Sequence, residues 1–265
     1  MSIHPHALVS PEAQLGNEVS VGPFAVIEAG AEVGDGCVIE AAAQIRAGSR
    51  IGAGCFIGSG ALVGSDPQFR GFDRRVRSGV ALGAGNVLRE YVTIHRSIHE
   101  GGETRLGSGN YLMAGAHVGH DAILGEDNTL ANNVLLAGHV RVGSHCFLGG
   151  GSVFHQFIRV GDYVMTQGNS GFSLDLPPFV IASDINLVSG INSVGLRRAG
   201  FSREERTRIK EVFRELYHSP KTLQTLLGEA EALIGSPAVE AFFDFLREPS
   251  KKGLCIRARR RTLMD

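Results

Sequence analysis

An aliphatic side chain recurs at every sixth position over most of the chain. The series runs from Leu15 to Val63 without a miss, is interrupted near residues 65–80 and again near 97–105, and continues to Val160. The residue four positions after the aliphatic one is small or β-branched in many repeats, as at Ala122, Val134, Val140, Cys146 and Ser152. This hexapeptide repeat is the dominant pattern of the sequence.

Strands this short, with a turn after every hexad, are typical of a parallel β-helix in which three hexads close one triangular coil of about 18 residues. The recurring aliphatic side chain points inward, and the small residue fits the crowded interior near a corner. We therefore predict an all-β parallel β-helix over residues 1–190, with loop excursions near 65–80 and 97–105. The spacing alone does not fix the handedness of the coil.

The repeat fades after Val180, and the sequence then changes to helical spacing. One apolar face contains Ile209, Val212, Phe213 and Leu216, and Ser202 with Glu205 reads as a capping box. A second helix is predicted from Leu223 to Ile234, and a third begins at the cap Ser236-Pro237. We predict a small α-helical domain over residues 191–265 that covers the open end of the coil.

The composition narrows the function classes. The net charge is −1, which does not favour binding to nucleic acid or to a charged membrane surface. The N-terminus resembles no secretory signal, and no apolar run is long enough to be a transmembrane segment. The four cysteines have no metal-binding spacing. A cytoplasmic protein is expected.

The register brings polar residues together. His120 follows the inward Val118 by two positions, so it lies at a corner, and steps of 18 residues lead to Gly138 and Gln156. Successive coils lie about 4.8 Å apart. An outward patch on three coils is therefore predicted from His120, Asp121, Gly138, His139, His155 and Gln156, with His117 and His95 nearby.

This patch has the groups needed for proton abstraction. A histidine is the usual general base, and a neighbouring carboxylate fixes its tautomer. Gly138 allows a backbone N–H to approach an acyl oxygen. Some hexapeptide coils instead bind zinc through three histidines, two of them five residues apart, but no two histidines here have that spacing. We predict acyl transfer, no metal site and no covalent enzyme intermediate.

Several ordered motifs resemble one known family. The segments REYVTIHR, AHVGHD, LANNVLLAGHV, LGGGSVFHQF, DLPPFVIA and VGLRRAGFS are similar to those of the UDP-N-acetylglucosamine acyltransferases of lipid A biosynthesis. The resemblance implies a left-handed coil and a homotrimer with active sites between subunits. It implies transfer of a 3-hydroxyacyl chain from acyl carrier protein, which carries it on phosphopantetheine, to the 3-hydroxyl of UDP-N-acetylglucosamine. No further cofactor is implied.

The same resemblance assigns roles to individual residues. It implies that His120 is the general base, Asp121 orients it and Gly138 is the oxyanion donor. Gly168 matches the position that gauges acyl-chain length. The substrate-binding positions that it implies are Gln68, His95, His117, His139, His155, Gln156, Asn192 and Arg198.

Three departures from the family pattern lie in regions that bind the acceptor. Phe69 and Gly71 replace an acid and a lysine, a G-N-x-A segment is missing after VIA, and Ala199 replaces the second of two arginines. An acyltransferase paralogue acting on a different UDP-sugar or on an amine therefore stays open. A non-catalytic trimeric scaffold and a coenzyme A-dependent acetyltransferase are further alternatives.

Two basic segments could attract an acidic carrier protein. One comprises Arg70, Arg74, Arg75 and Arg77, and the other is the tail KKGLCIRARRR over residues 251–261. No aromatic residues alternate with these charges as in nucleic-acid binding surfaces, so nucleic acid is not expected as a partner.

Overall fold

The protein, as a computed structural model that describes residues 1–256, is a left-handed parallel β-helix followed by short helices. The predicted fold class is confirmed. Strands and helices are numbered in chain order, and the strands form three flat faces of a triangular prism. Residues 257–261 of the basic tail lie outside the described residues.

Each face stacks every third strand. The first face contains β1 (Ser2–Ile3), β4 (Ser20–Val21), β7 (Val38–Ile39), β10 (Phe56–Ile57), β13 (Val87–Leu88), β16 (Tyr111–Leu112), β19 (Thr129–Leu130), β22 (Phe147–Leu148), β25 (Met165–Thr166), β27 (Val180–Ser183) and β28 (Leu187–Ile191). The second contains β2 (Leu8–Val9), β5 (Val26–Ile27), β8 (Gln44–Ile45), β11 (Leu62–Ser65), β14 (Thr93–His95), β17 (His117–Val118), β20 (Leu135–Leu136), β23 (Val153–Phe154) and β26 (Gly171–Phe172). The third contains β3 (Gln14–Leu15), β6 (Glu32–Val33), β9 (Ser49–Ile51), β12 (Gly79–Leu82), β15 (Glu103–Leu106), β18 (Ile123–Leu124), β21 (Arg141–Val142) and β24 (Arg159–Val160).

The hexads determine which side chains are buried. The aliphatic residue of each hexad is the inward residue of its strand, and those from Val21 to Val160 are at most 5% exposed. The small residue four positions later is also buried, as at Ala122 and Cys146. All four cysteines are buried. Because neighbouring coils stack these residues directly, one continuous apolar column fills the prism.

Two excursions leave the coil at the same corner, between the second and third faces. The first runs from the end of β11 at Ser65 to β12 at Gly79, and the second from the end of β14 at His95 to β15 at Glu103. After each excursion the coil resumes parallel pairing, so that Leu62 pairs with Thr93 and Thr93 with His117. Both excursions therefore leave the prism at the same edge, and the coils that follow them along the chain keep their parallel pairing.

A ladder of buried asparagines crosses three coils inside the prism. The Asn86 amide donates to the carbonyls of Gly83 and Gly107, and its oxygen accepts the Asn110 backbone N–H at 2.9 Å. Asn110 repeats this arrangement with Asn128, and the Asn128 oxygen accepts the backbone N–H of Cys146 at 2.8 Å. These side chains are at most 1% exposed, so every bond of the ladder replaces a bond to water.

Five helices follow the coil within the described residues: α1 (Ser193–Arg198), α2 (Arg203–His218), α3 (Leu223–Gly228), α4 (Ala230–Leu233) and α5 (Pro237–Arg247). The predicted capping box of Ser202 with Glu205 is present, and Ser236 caps α5 as predicted. The single helix predicted from Leu223 to Ile234 is wrong, because the chain breaks at Glu229 between α3 and α4. Helix α1 has no apolar repeat long enough to predict it.

The helices are fixed to the last coil by polar and aromatic contacts. Arg159 donates to the buried Asp175 at 2.7 Å, pairs with Glu248 at 3.0 Å and lies over the Phe245 ring at 4.4 Å. The backbone of Cys255 donates to the Asp175 carbonyl, which brings the end of the described chain back to the coil. No helix of residues 1–256 is long and apolar enough to span a membrane.

Candidate active site

The predicted outward patch lies at one edge of the prism, which we call the histidine corner. It comprises the turns at 120–121, 138–139 and 156–157 between the second and third faces, together with the two excursions above that edge. His117 pairs with Leu135, and Leu135 pairs with Val153, so the three turns stack in the predicted register.

His120 and Asp121 form a hydrogen-bonded pair within one turn. The His120 Nδ1 lies 2.8 Å from the Asp121 Oδ2. Because an ionised carboxylate only accepts hydrogen bonds, Nδ1 carries a proton in this pair, and in the neutral imidazole Nε2 therefore keeps its lone pair. Nε2 has no hydrogen-bond partner among residues 1–256. The imidazole is thus held in the tautomer that a general base requires.

Asp121 is held in place by the second excursion. Its carboxylate accepts hydrogen bonds from the Ser97 hydroxyl and, at 3.2 Å, from the Ile98 amide, while its own amide donates to the Thr104 hydroxyl at 2.8 Å. Burial alone would raise the pKa of Asp121, but the bonds from His120, Ser97 and Ile98 lower that pKa to about 2. Asp121 is therefore charged at neutral pH.

Gly138 lies directly beneath the His120 ring. A Cβ atom at this position would stand 2.6 Å from both Nε2 and Cε1 of His120, so no larger residue fits without displacing the imidazole. The Gly138 amide N–H has no acceptor among residues 1–256. Other turns of the coil, such as that at Gln156, also leave this amide unpaired, but at the buried Gly138 the absence of a side chain lets the His120 ring lie directly against the backbone. His120 and an unpaired N–H donor are thus adjacent.

His139 links this pair to the next coil and to the C-terminal segment. Its ring packs edge-on against His120, with centroids 5.0 Å apart, and stacks on Phe157 at 4.5 Å. Lys251 Nζ lies 4.9 Å from the centre of the Phe157 ring. Burial lowers the pKa of His139, although Asp121 opposes this effect. His139 is thus a mainly neutral side chain beside the base.

A second histidine pair lies on the neighbouring face. The rings of His95 and His117 are 5.0 Å apart, and His117 Nδ1 is 2.8 Å from the Thr93 hydroxyl. Burial lowers the pKa of both, that of His117 to about 4. The Nδ1 atom of His95 is buried and has no hydrogen-bond partner among the described residues. Both rings are therefore neutral.

The first excursion covers the histidine corner. Phe69 lies with its ring centroid 6.3 Å from that of His120 and is 52% exposed, and Gln68 beside it is also exposed. Gly71 adopts a positive φ of 86°, and no atom lies within 4 Å of where its Cβ would be. The two departures from the family pattern in this excursion are therefore on the solvent side of the base.

The other predicted site residues are more scattered. His155 and Gln156 are exposed at the histidine corner. Asn192 is only 9% exposed, and its side chain caps α1 through Gly195 and donates to the Tyr163 carbonyl at 2.9 Å. Arg198 is exposed at the end of α1. No contact within residues 1–256 joins Asn192 or Arg198 to the histidines of the corner.

Gly168 lies at a different edge, at the turn between the first and second faces. A Cβ there would meet the Gly150 carbonyl oxygen at 3.0 Å, which is tighter than ordinary contact. The second face, with the exposed Leu135 and Val153, separates this edge from the histidine corner. Gly168 and His120 are thus on opposite edges of one face.

An arginine-rich cavity of about 940 Å³ opens below the first excursion. Its basic lining comprises Arg46, Arg50, Arg74, Arg75, Arg77 and Arg96, and its acidic lining comprises Glu28, Asp66 and Glu103. Asp66 pairs with Arg74 and Arg96, whereas Arg77 forms no ion pair within residues 1–256. The cavity therefore has an excess of positive charge.

Four residues of the histidine corner were not predicted from the sequence. Ser97, Ile98 and Thr104 hold Asp121, and His99 places its ring 6.0 Å from that of His139. All four lie in or just after the second excursion. The hexad register ends there, so only the general signal of a polar loop marked this segment.

Comparisons with known proteins agree across the whole chain. A family model described as "Udp N-acetylglucosamine O-acyltransferase; Domain 2" matches residues 175–255, and one for the bacterial transferase hexapeptide matches residues 12–45 and 30–65. The acyl-[acyl-carrier-protein]--UDP-N-acetylglucosamine O-acyltransferase of Halorhodospira halophila is 43% identical, with 95% of this chain and 98% of that protein covered. The Myxococcus xanthus protein of the same name is 46% identical with the same coverage.

Solved structures agree as well. A UDP-N-acetylglucosamine acyltransferase from Bacteroides fragilis has a TM-score of 0.89 at 39% identity and covers 95% of this chain and 99% of its own. The Francisella novicida acyltransferase has a TM-score of 0.92 at 30% identity and covers 98% of this chain and 95% of its own.

Proposed function

The chain belongs to the family of acyl-[acyl-carrier-protein]--UDP-N-acetylglucosamine O-acyltransferases, and from that premise we propose how its histidine corner works. The enzyme transfers a 3-hydroxyacyl chain from acyl carrier protein to the 3-hydroxyl of UDP-N-acetylglucosamine, the first step of lipid A biosynthesis. The observation that carries this proposal is the His120–Asp121 pair, with its free Nε2, above the open amide of Gly138.

The first step is attack on the thioester. His120 Nε2 takes the proton of the sugar hydroxyl while the hydroxyl oxygen bonds to the thioester carbonyl carbon. The charged Asp121 stabilises the imidazolium that forms. The carbonyl oxygen becomes an oxyanion, and the Gly138 amide donates a hydrogen bond to it.

The second step is release of the carrier thiol. The tetrahedral intermediate re-forms its C=O bond, and the carbon–sulfur bond breaks. The imidazolium of His120 returns its proton to the departing thiolate, which leaves as the phosphopantetheine thiol of the carrier protein. The products are the ester and the free carrier, and the enzyme regains its starting protonation state. No cofactor beyond the carrier's phosphopantetheine takes part in this scheme.

The neighbouring residues form the substrate cleft in this proposal. His95 and His117 offer hydrogen bonds to the sugar. Their lowered pKa values keep both rings neutral, so neither carries a charge that would compete with His120. His139, His155 and Gln156 line the side toward the next coils. Gln68 reaches the sugar from the first excursion.

A homotrimer accounts for the separation of Gly168, Asn192 and Arg198 from the histidine corner within one subunit. The acyl chain starts at Gly138 and crosses the second face over Leu135 and Val153 toward Gly168, which limits its length. These two side chains are 43% and 46% exposed and would be covered by a neighbouring subunit. Asn192 shapes the start of α1, and Arg198 at its end reaches the nucleotide phosphates of the adjacent cleft.

The carrier protein docks on the basic rim of the arginine-rich cavity. Arg74, Arg75 and Arg77 are exposed on the first excursion, next to the residues that cover His120. An acidic carrier protein is attracted to such a rim, and the attraction weakens as salt rises. The cytoplasm is the compartment where a carrier protein and a UDP-sugar would both be available.

The acceptor and the chain length are tested together. The purified protein is incubated with UDP-N-acetylglucosamine and 3-hydroxyacyl carrier proteins of several lengths, and products are read by mass spectrometry. We expect a product heavier by one hydroxyacyl group. If a folded trimer gives no product with any donor but acylates another UDP-sugar or a 3-amino sugar, then Phe69, Gly71 and Ala199 mark a changed acceptor and the proposal is overturned.

A further inference from the structure

The second excursion adds a third metal-ligand side chain to the histidine corner. Nitrogen atoms of His99 and His139 and a carboxylate oxygen of Asp121 all lie within 4.8 Å of one another. This group is not predictable from the sequence pattern, because its members come from the excursion and from two successive coils. A spacing rule applied along the chain cannot detect ligands brought together in this way.

We propose that His99, Asp121 and His139 form a binding site for a divalent transition-metal ion, with Zn²⁺ as the best fit, and that the bound ion inhibits the enzyme. Two imidazoles and one carboxylate with one open position are a common zinc ligand set. Tetrahedral zinc needs its ligand atoms closer than 4.8 Å, so the side chains have to move together by about an ångström.

His99 is the side chain that can make this movement. It is exposed at the tip of the excursion, and the only contact described for its ring is the one with His139. Its backbone is fixed, since its amide donates to the Ser97 hydroxyl at 3.0 Å and its carbonyl accepts the Gly102 amide. The excursion thus keeps its shape while the imidazole turns toward the carboxylate.

Inhibition follows from the sharing of one carboxylate. The Asp121 Oδ2 that lies 3.9 Å from the Nε2 of His139 is the same oxygen that accepts the proton of His120 Nδ1. A metal on Asp121 draws electron density from that oxygen, so the aspartate stabilises the imidazolium of His120 less well. The ion also occupies space beside the base. This inhibitory consequence rests on the proposed function, whereas binding of the ion does not.

Binding is tested first, and without any activity measurement. Protein freed of metal with a chelator is titrated with Zn²⁺ in competition with a chromophoric zinc indicator. We expect a tight site in the wild type that His99→Val weakens by at least about tenfold. His99→Asn is a second variant with a polar side chain, and His6→Ala removes an exposed histidine far from the corner as the matched control. Equal affinities in the wild type and both His99 variants would overturn the proposal.

Cobalt shows whether the ligands are the expected ones. Co²⁺ in a tetrahedral site absorbs visible light much more strongly than Co²⁺ in an octahedral site. We expect strong absorption in the wild type and in His6→Ala, and only the weak octahedral spectrum in His99→Val. A strong tetrahedral spectrum that persists in both His99 variants would also overturn the proposal.

Acyl transfer is measured last. Zn²⁺ should inhibit the wild type and a chelator should restore it, while His99→Val, measured against its own rate without zinc, resists inhibition at the same concentration. If zinc inhibits both proteins equally, the inhibitory part is wrong. If no protein transfers an acyl chain, the proposed function fails, but the titration and the cobalt spectra still decide whether the metal site exists.

Discussion

Two columns of polar residues follow the same coil spacing, and they differ in how completely their hydrogen bonds are satisfied. The asparagine ladder is inside the prism, where the side-chain amides of Asn86, Asn110 and Asn128 donate to backbone carbonyls and their oxygens accept backbone amides. The histidine corner is on an edge of the prism, where His120 Nε2 and the Gly138 amide have no partner among residues 1–256.

The difference separates a structural column from a reactive one. A buried polar group without a partner costs about 1–3 kcal/mol, so a stable interior saturates its hydrogen bonds. A base and an oxyanion donor must instead keep one position open for the substrate. The corner meets both demands, because Asp121 is engaged by Ser97, Ile98 and His120 while His120 Nε2 and the Gly138 amide stay unpaired within residues 1–256.

The largest expected effect is at the base itself. His120→Ala should lower turnover by at least about 10²-fold, because no other side chain replaces Nε2 above Gly138. The measurement is a steady-state acyl-transfer assay, with circular dichroism and the mass of the oligomer as controls for folding. Turnover near the wild-type value in a folded variant would show that His120 is not the base.

Filling the space under the imidazole should come next. Gly138→Ala places a methyl group where the His120 ring lies and should lower turnover by roughly 10²-fold by displacing the base from the oxyanion donor. The φ of Gly138 is one that alanine adopts, so the coil should still fold. Gly228→Ala is the matched control, since no atom lies within 4 Å of its Cβ position. Equal turnover of the two variants would refute the role given to Gly138.

A change in the asparagine ladder should lower stability and leave turnover unchanged, the opposite of the changes at His120 and Gly138. Asn110→Ala leaves the backbone amide of Asn128 and the carbonyl oxygen of Gly125 without the partner that the Asn110 side chain supplies, which should cost about 2–3 kcal/mol of folding free energy. The melting temperature should fall by roughly 5–10 °C, while turnover well below that temperature stays unchanged. A variant that melts like the wild type but loses activity would break the distinction between the two columns.

The smallest expected effect is a change in how the free energy of unfolding depends on pH. Burial lowers the pKa of His117 from 6.5 to about 4, so the stability due to its neutral form is complete above pH 6.5 and is lost as pH falls toward 4. The glutamine in His117→Gln cannot be protonated in this range. The slope of the free energy of unfolding against pH, measured by denaturant unfolding, should therefore be less steep in this variant. The slope is not abolished, because burial also lowers the pKa values of His95 and His139.

The hexads predicted most of the fold because each one determines its own inward residue. The step of 18 residues likewise placed His120, Gly138 and Gln156 on one edge, since undisturbed coils pair in fixed register. The break between α3 and α4 escaped prediction, because the apolar spacing continues through Glu229. Gly228, the last residue of α3, is the local signal that marks this end.

The contacts of the corner with its excursions could not be predicted. Phe69 reaches His120, and Ser97 reaches Asp121, only through the paths of two loops. A loop without periodicity has no register that relates its residues to those of the coil. The asparagine ladder escaped notice for another reason: Asn86, Asn110 and Asn128 occupy the position of the small inward residue, where polar side chains are uncommon.

The two excursions leave the coil and rejoin it with parallel pairing intact on either side. Changes in the length or composition of these loops therefore do not shift the coils that hold His120 and Gly138. Evolution can alter the side chains that approach the acceptor, such as Phe69, or add one such as His99, without rebuilding the reaction centre. The coil holds His120 and Gly138 in place, and, apart from Ser97 and Ile98, which hold Asp121, the loops are the part of the protein in which specificity and regulation can diverge.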